Sequence, residues 1–563
     1  MSLATIATWA VVFAVFALTC KPLGEYMARV FSDQPTFLDR PFKPLEGAIL
    51  RVAGVDPSVA MTAVQYGTAF VVINLVWMLF SYLFLRIQGV LPFNPEHFGA
   101  VNPYLAFNTS ASFTTNTNWQ AYSGENTLSY FSQFANLSYL QFVTPASGAC
   151  VGIAFVRALA GRPLGNFWSD LLKVCTRLLL PLSVIVALIL VSQGVPETLA
   201  AYLKVHALAG GTQVVPRGPI ATWEAIEHLG QNGGGYTNAN SANPLESPTA
   251  LTNIVLTIAM GLVPVAFFPF LGAMTGRRKT AWTLFGVAAS FFLLMLAMIY
   301  FPEQLGNPIL NALHLHGTTN MEGKEVRFGL GGTAIFETST MSFTTGSVAS
   351  AHDSYMPLGQ MAFLLGMFLN LVFGGKGVGL VNMLMLVILT VFLVGLMVGR
   401  TPEFMGKKIE AREVSLTAIA FLLHPFLSLV GTAIAAATPA GLAGVFNNPP
   451  QGLTEILYGF SSMAVDNGSS FAGLSANTVF YNVLGGVAML LGRYLVIVAV
   501  LGIAGSLAAK GASSPDEGTF RTDTPMFATL LTSVVVLVGG LTFVAAVALG
   551  PVVEQLMHHR LFP

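Results

Sequence analysis

Gly230-Gln231-Asn232-Gly233-Gly234-Gly235 is polar, dense in glycine and free of charge, and Tyr236 to Ser241 extends it with hydroxyls and amides. It holds no acid or base to move a proton, so its useful groups are carbonyl oxygens. Glycine takes positive φ without strain, so Gly233 or Gly234 is expected there, turning a carbonyl toward a common axis. Inward carbonyls are how a protein replaces the hydration shell of K⁺. One loop cannot surround an ion, so the chain must supply others.

Three more polar stretches follow the same style. Asn116-Thr117-Asn118 lies after Phe113-Thr114-Thr115, Thr344-Thr345-Gly346 after Ser342-Phe343, and Asp466-Asn467-Gly468 after Val465. Ser112-Phe113-Thr114-Thr115 matches Ser342-Phe343-Thr344-Thr345 residue for residue. Asn118, Asn232, Gly346 and Asn467 are 114, 114 and 121 residues apart, an interval that suits fused membrane units better than a solenoid. Polar, irregular backbone survives at membrane depth only inside protein or beside a wet cavity.

Composition makes the membrane setting certain. Of 563 residues, 54% are hydrophobic and 9% charged, against about 25% charged in a soluble domain. Mean hydropathy is +0.68. Twenty-six basic and 26 acidic residues cancel, which excludes electrostatic attraction to nucleic acid. Cys20, Cys150 and Cys175 are scattered and fit neither a disulfide framework nor a zinc site.

Apolar runs of spanning length place ten helices: Ile6–Cys20, Gly67–Leu85, Tyr130–Val156, Leu178–Gln193, Leu251–Leu271, Ala281–Phe301, Met356–Val398, Leu416–Ala437, Val479–Leu507 and Phe527–Leu549. The first has Lys21 after it and no positive charge before it, which reads as a retained span with the N-terminus outside. On this topology eighteen Lys and Arg fall inside and six outside, while Lys376 and Arg493 lie within spans. That is the positive-inside bias, and it puts all four polar loops outside.

Each polar loop follows a short helix-compatible segment: about Pro103–Ser112, Thr222–Leu229, Ala334–Ser342 and Leu453–Ala464. These cannot span, so they are expected to re-enter, aiming the negative ends of their dipoles inward. The reading is an all-α polytopic membrane protein, one membrane domain over 1–563. It comprises a first span with a cytoplasmic segment (1–60), four repeats of span, half-helix, filter and span (61–172, 173–279, 280–413, 414–510), and a C-terminal span (511–563).

Two interruptions within spans suggest a gate or tunnel. Gly374, Gly375, Gly377 and Gly379 crowd around Lys376 and disfavour helix, and broken spans recur where ions are handled. Lys376 is expected to act as a tethered cation beneath the filter, and Arg493 as a second intramembrane charge facing a cavity. Enzyme signatures are weak. His314-Leu315-His316 lacks supporting metal ligands, His352-Asp353 lacks a placed nucleophile, and there is no nucleotide loop.

Asn116 to Glu125, Gly233 to Gly235, Asn238 to Ser241, Gly399 to Glu403 and Asn467 to Asn477 together closely resemble the KdpA family. Those are the potassium-binding, translocating subunits of bacterial Kdp potassium-transporting ATPases. The resemblance implies a fold from the superfamily of potassium transporters and K⁺ as the only metal, carried as transported ion. Its filter would comprise Asn116, Thr117 and Asn118; Gln231, Asn232 and Gly233; Thr344, Thr345 and Gly346; and Asp466, Asn467 and Gly468. It further implies a P-type ATPase partner (KdpB), an accessory subunit (KdpC) and a small subunit (KdpF). This chain would then have no catalytic residues and bind no nucleotide, in a bacterial inner membrane among lipid. A stand-alone potassium channel or a cation symporter of the same fold is the alternative.

Overall fold

Lipid offers backbone N–H and C=O groups no partner, so long apolar segments must satisfy them internally as helices. The computed structural model describes residues 1–315, 324, 327–375, 377–399, 401–511 and 520–558. Among the described residues, ten helices are long and apolar enough to cross a membrane, matching the ten expected spans in order. Several begin on side-chain caps that satisfy their first free N–H groups: Thr62 with Gln65, and Thr249 with Thr252. The helix Ala250–Thr275 stops at Gly276, whose left-handed conformation (φ 71°) suits glycine.

Four short helices fail to span: Pro103–Thr114, Ile220–Leu229, Gly329–Ser342 and Gln451–Ala464. Each precedes one polar loop, so span, half-helix, loop and span recur four times along the chain. Pro103–Thr114 packs on Val479–Ala509, the last span of the fourth unit. Ile220–Leu229 packs on Tyr139–Leu159 of the first unit, Gly329–Ser342 on Ala250–Thr275 of the second, and Gln451–Ala464 on Pro357–Leu369 of the third. Every half-helix thus leans on the closing span of the unit before it, and the cycle closes from fourth to first. Phe131–Leu159 is almost wholly buried, whereas the first and last spans are mostly exposed.

The seventh apolar tract is interrupted as expected, but one turn early. Pro357–Leu369 ends at Asn370 in left-handed conformation (φ 39°), and the chain resumes helix at Val378. Gly379 therefore belongs to the second helix, not to the break; its α-carbon packs against Gly374, where no side chain fits. Lys376 lies outside the described residues, as does His316. Elements not expected from the sequence are the helix Asp39–Val52 between the first two spans and an antiparallel hairpin pairing Leu203–His206 with Thr212–Val215.

Candidate functional site

The four half-helices end alike, and their ends build the site. Asn116, Gln231, Thr344 and Asp466 follow the helices in left-handed conformation, with φ of 66°, 49°, 51° and 61°. The next residue in each loop donates its N–H five residues back: Thr117 to Ser112 (3.0 Å), Asn232 to Glu227 (2.9 Å), Thr345 to Thr340 (2.8 Å), Asn467 to Ser462 (3.0 Å). This is a helix-ending motif that satisfies otherwise orphaned carbonyls, and its left-handed position is normally glycine. Here it is four times a residue with a Cβ, which costs about 1–2 kcal/mol each. Without glycine at that position, no residue type marks the motif in advance.

These hydrogen bonds set the correspondence between loops. Ser112 is equivalent to Thr340, not to Ser342, so the shared Ser-Phe-Thr-Thr runs are two residues out of structural register. The equivalent triplets are those expected from the family resemblance. The third residues, Asn118 (φ 55°), Gly346 (92°) and Gly468 (100°), return to positive φ.

Gly233 is the exception. None of Gly233, Gly234 and Gly235 has positive φ, contrary to expectation, because the reversal is made earlier, at Gln231. Nor do Gly234 and Gly235 aim carbonyls at the axis. The carbonyl of Gly234 accepts from Trp223 Nε1 (2.9 Å) and Gln141 Nε2 (3.0 Å), and that of Gly235 from Gln120 Nε2 (2.8 Å). What Gly233 requires is space. A Cβ there would lie 2.5 Å from the Asn467 oxygen, 2.6 Å from the Gly468 α-carbon and 2.8 Å from the Thr117 oxygen. Gly346 and Gly468 are equally crowded against Asn467, Thr117 and Gly233, so the loops converge on one small centre.

At that centre the backbone carbonyls of Thr117, Asn232, Thr345 and Asn467 accept no hydrogen bond from any described residue. Such groups are rare when buried, since each costs about 1–3 kcal/mol unless a partner arrives. All four residues are fully buried. A ring of unspent carbonyls with helix C-terminal ends behind it can hold a dehydrated monovalent cation.

Side chains fix the loops from behind. Asn116 Nδ2 donates to the Gln231 carbonyl (2.9 Å) while its Oδ1 accepts from Thr144 (2.9 Å), tying the first loop to the second. Between the third and fourth, His352 Nε2 meets Glu337 Oε2 (2.5 Å), its Nδ1 meets the Tyr458 hydroxyl (2.7 Å), and Tyr458 meets Ser469 (2.6 Å). His352 therefore braces the loops and is no part of a hydrolytic pair with Asp353. Glu337 stands seven residues before Thr344, as Glu224 stands before Gln231. Acidic residues within such apolar half-helices are costly, and that was the signal available in the sequence.

Above the centre opens a vestibule of 880 Å³, bordered by Gln120, Gly233, Asn240, Gly346 and Ser469. Below it is a small cavity of 20 Å³ among Thr344, Asn370, Gly375, Asp466 and Arg493. That is room for about one water-sized particle. Arg493 pairs with Asp466 (3.3 Å) and reaches the Thr144 carbonyl (3.4 Å), while Thr117 Oγ1 donates to the other Asp466 oxygen (3.2 Å). The side chain of Asp466 thus faces the wall and the arginine. Asn370 ties the interrupted span to this floor through Thr344 (2.8 Å) and the Val465 carbonyl (3.4 Å). Gly374 N–H bonds the Ser342 carbonyl (2.9 Å), and Gly375 packs against Phe343 and Gln231, so the break lies directly beneath loops two and three. Gly377 packs on Gly152 of the buried third span.

Known proteins are similar to this chain over nearly their whole length. The family model described as the potassium-transporting ATPase A subunit (KdpA) matches residues 10–556. A potassium-transporting ATPase potassium-binding subunit from Alicyclobacillus acidocaldarius is 50% identical over 555 residues, covering 98% of each chain. Proteins of the same description from Delftia acidovorans and Mesorhizobium japonicum are 46% and 44% identical, covering 98% and 96% of each chain. The chain therefore belongs to the KdpA family, the A subunits of potassium-transporting ATPases.

Proposed function

We propose that this chain selects K⁺ between its four outer loops and delivers it to an ATP-hydrolysing subunit of the same complex. The observation that carries the reading is the set of four unspent, buried carbonyls at Thr117, Asn232, Thr345 and Asn467. K⁺ is large and weakly hydrated, so fixed carbonyls replace its water shell at lower cost than that of Na⁺. The binding set is Asn116–Asn118, Gln231–Gly233, Thr344–Gly346 and Asp466–Gly468, one triplet from each of the repeats 61–172, 173–279, 280–413 and 414–510. Gly374, Gly375, Gly377 and Arg493 form the floor, with a cavity of 880 Å³ above the centre and one of 20 Å³ below it. So small a space below the centre favours delivery to a partner over free conduction.

The relatives are named as potassium-binding subunits of an ATPase, which supports K⁺ as cargo here and an ATPase subunit as partner. On this reading KdpB hydrolyses ATP, KdpC and KdpF complete the complex, and this chain binds no nucleotide. It lies in the bacterial inner membrane with its N-terminus outside. Flux of ⁸⁶Rb⁺, a K⁺ surrogate, into proteoliposomes tests this. Uptake should need ATP and the partner subunit. Sustained ion conduction by the chain alone would establish a channel instead.

A further inference from the structure

We infer that Glu224, Glu227 and His228 form a second cation site, off the pore axis behind the second loop, that takes a divalent metal of the zinc type. All three are fully buried on one half-helix, and one ligand atom from each lies within 4.8 Å of the others. Oε1 of Glu224 and Oε1 of Glu227 lack a close hydrogen-bond donor, although the Glu227 carboxyl also adjoins Glu224 and Ser347. Their other oxygens are held, Glu224 Oε2 by Ser241 (3.1 Å) and Glu227 Oε2 by Trp223 Nε1 (3.1 Å). The carboxyl of Glu246 adjoins Glu224 and accepts from the N–H groups of Tyr236 (3.3 Å) and Thr237 (2.8 Å). Three carboxyl groups so buried are neutralised either by protons or by a bound cation. The Arg327 guanidinium interacts with Glu246 at longer range but donates its hydrogen bonds to the carbonyls of Ser247, Ser241 and Ala242.

The histidine decides the class of cation. His228 Nδ1 lies 2.8 Å from the Glu224 carbonyl, to which it donates, so the Nε2 lone pair is left with only a 3.3 Å contact to Ser241 Oγ. An imidazole oriented by a backbone carbonyl is the usual form of a metal-ligating histidine. Mixed imidazole and carboxylate ligands suit Zn²⁺, whereas K⁺, Mg²⁺ and Ca²⁺ prefer oxygen alone. Ligands on one Zn²⁺ sit about 2.1 Å from it, hence at most about 4.2 Å apart. The 4.8 Å limit on the spread of the three ligand atoms exceeds this by about 0.6 Å, a gap that side-chain rotation must close with Nε2 turned inward. The ion would join the half-helix to the loop beyond the filter, because Ser241 also contacts Ser347 of the third loop (3.3 Å).

The test uses the full-length chain in its complex, with affinity tags removed. It is incubated with excess Zn²⁺, desalted and measured by mass spectrometry of the metal. Wild type should retain about one more Zn²⁺ per complex than Glu227→Gln or His228→Gln. Zinc X-ray absorption of the wild type should show nitrogen and oxygen neighbours near 2.0–2.1 Å. That spectrum needs no variant to fold. Equal zinc in wild type and variants, or a shell with sulfur or without imidazole, overturns the site. The carboxyl cluster would then be neutralised by shared protons.

Discussion

Gly233→Ala separates a role in crowding from a role in backbone freedom. The glycine has no positive φ, so alanine fits the local backbone and any effect must arise from contacts across the centre. The new Cβ would stand 2.5 Å from the Asn467 oxygen and 2.8 Å from the Thr117 oxygen, where ordinary contact begins at 3.4 Å. Asn467 must retreat about 0.9 Å and Thr117 about 0.6 Å, and these are two of the four free carbonyls. Overfilling a packed site costs about 1–3 kcal/mol. Imposed on the ion-bound state, that is roughly a 5- to 150-fold weaker K⁺ half-saturation, at 1.4 kcal/mol per tenfold. Na⁺ should be affected less, because it gains less from ligands held at K⁺ spacing. The assay is ion-stimulated ATPase activity of the purified complex, with K⁺ titration calorimetry beside it. Gly99→Ala serves as control, since nothing lies within 4 Å of its added Cβ. A Gly233→Ala protein whose K⁺ affinity and K⁺-to-Na⁺ preference match the control would refute the convergence of these loops on the ion.

Three further outcomes follow from the same geometry. Gln231→Gly should leave thermal stability within about 1 kcal/mol, while the β-branched Gln231→Val should lose at least 1–2 kcal/mol at φ 49°; equal melting of the two would remove the left-handed turn. Arg493→Gln removes the guanidinium that lies 3.3 Å from Asp466 and should cost about 1–3 kcal/mol in thermal unfolding of the complex. Adding Asp466→Asn should recover a large part, and an additive double variant would deny the pairing. His352→Phe keeps the stack on Phe363 (4.5 Å) but cuts the link from Glu337 to Tyr458, with an expected loss of about 1–3 kcal/mol. An unchanged melting temperature would show that this network does not hold the third and fourth loops.

The spans were legible because bilayer thickness forces a length and a hydropathy on each, and the half-helices because they were visibly too short. The loops were found through polar backbone at even spacing. Their internal geometry was not. A string of glycines suggested positive φ at Gly233, yet the turn falls on Gln231 and on its equivalents Asn116, Thr344 and Asp466, none of them the glycine that usually marks such a turn. Only tertiary packing holds them there, and packing between units 114 residues apart leaves no local trace. The repeated Ser-Phe-Thr-Thr was a true repeat in composition and a false guide to register, since hydrogen-bond spacing, not identity, sets equivalence. The buried acids Glu224, Glu227 and Glu337 carried a readable signal, the cost of charge in an apolar helix, but not what they touch.

Locating the ion tests the central claim most directly. Tl⁺ mimics K⁺ and scatters strongly, so anomalous diffraction or density-difference maps of the complex, with and without Tl⁺, will place it. The predicted result is one dominant site bounded by the carbonyls of Thr117, Asn232, Thr345 and Asn467. A bound ion elsewhere, with that centre empty under conditions that sustain K⁺-dependent ATP hydrolysis, would contradict it.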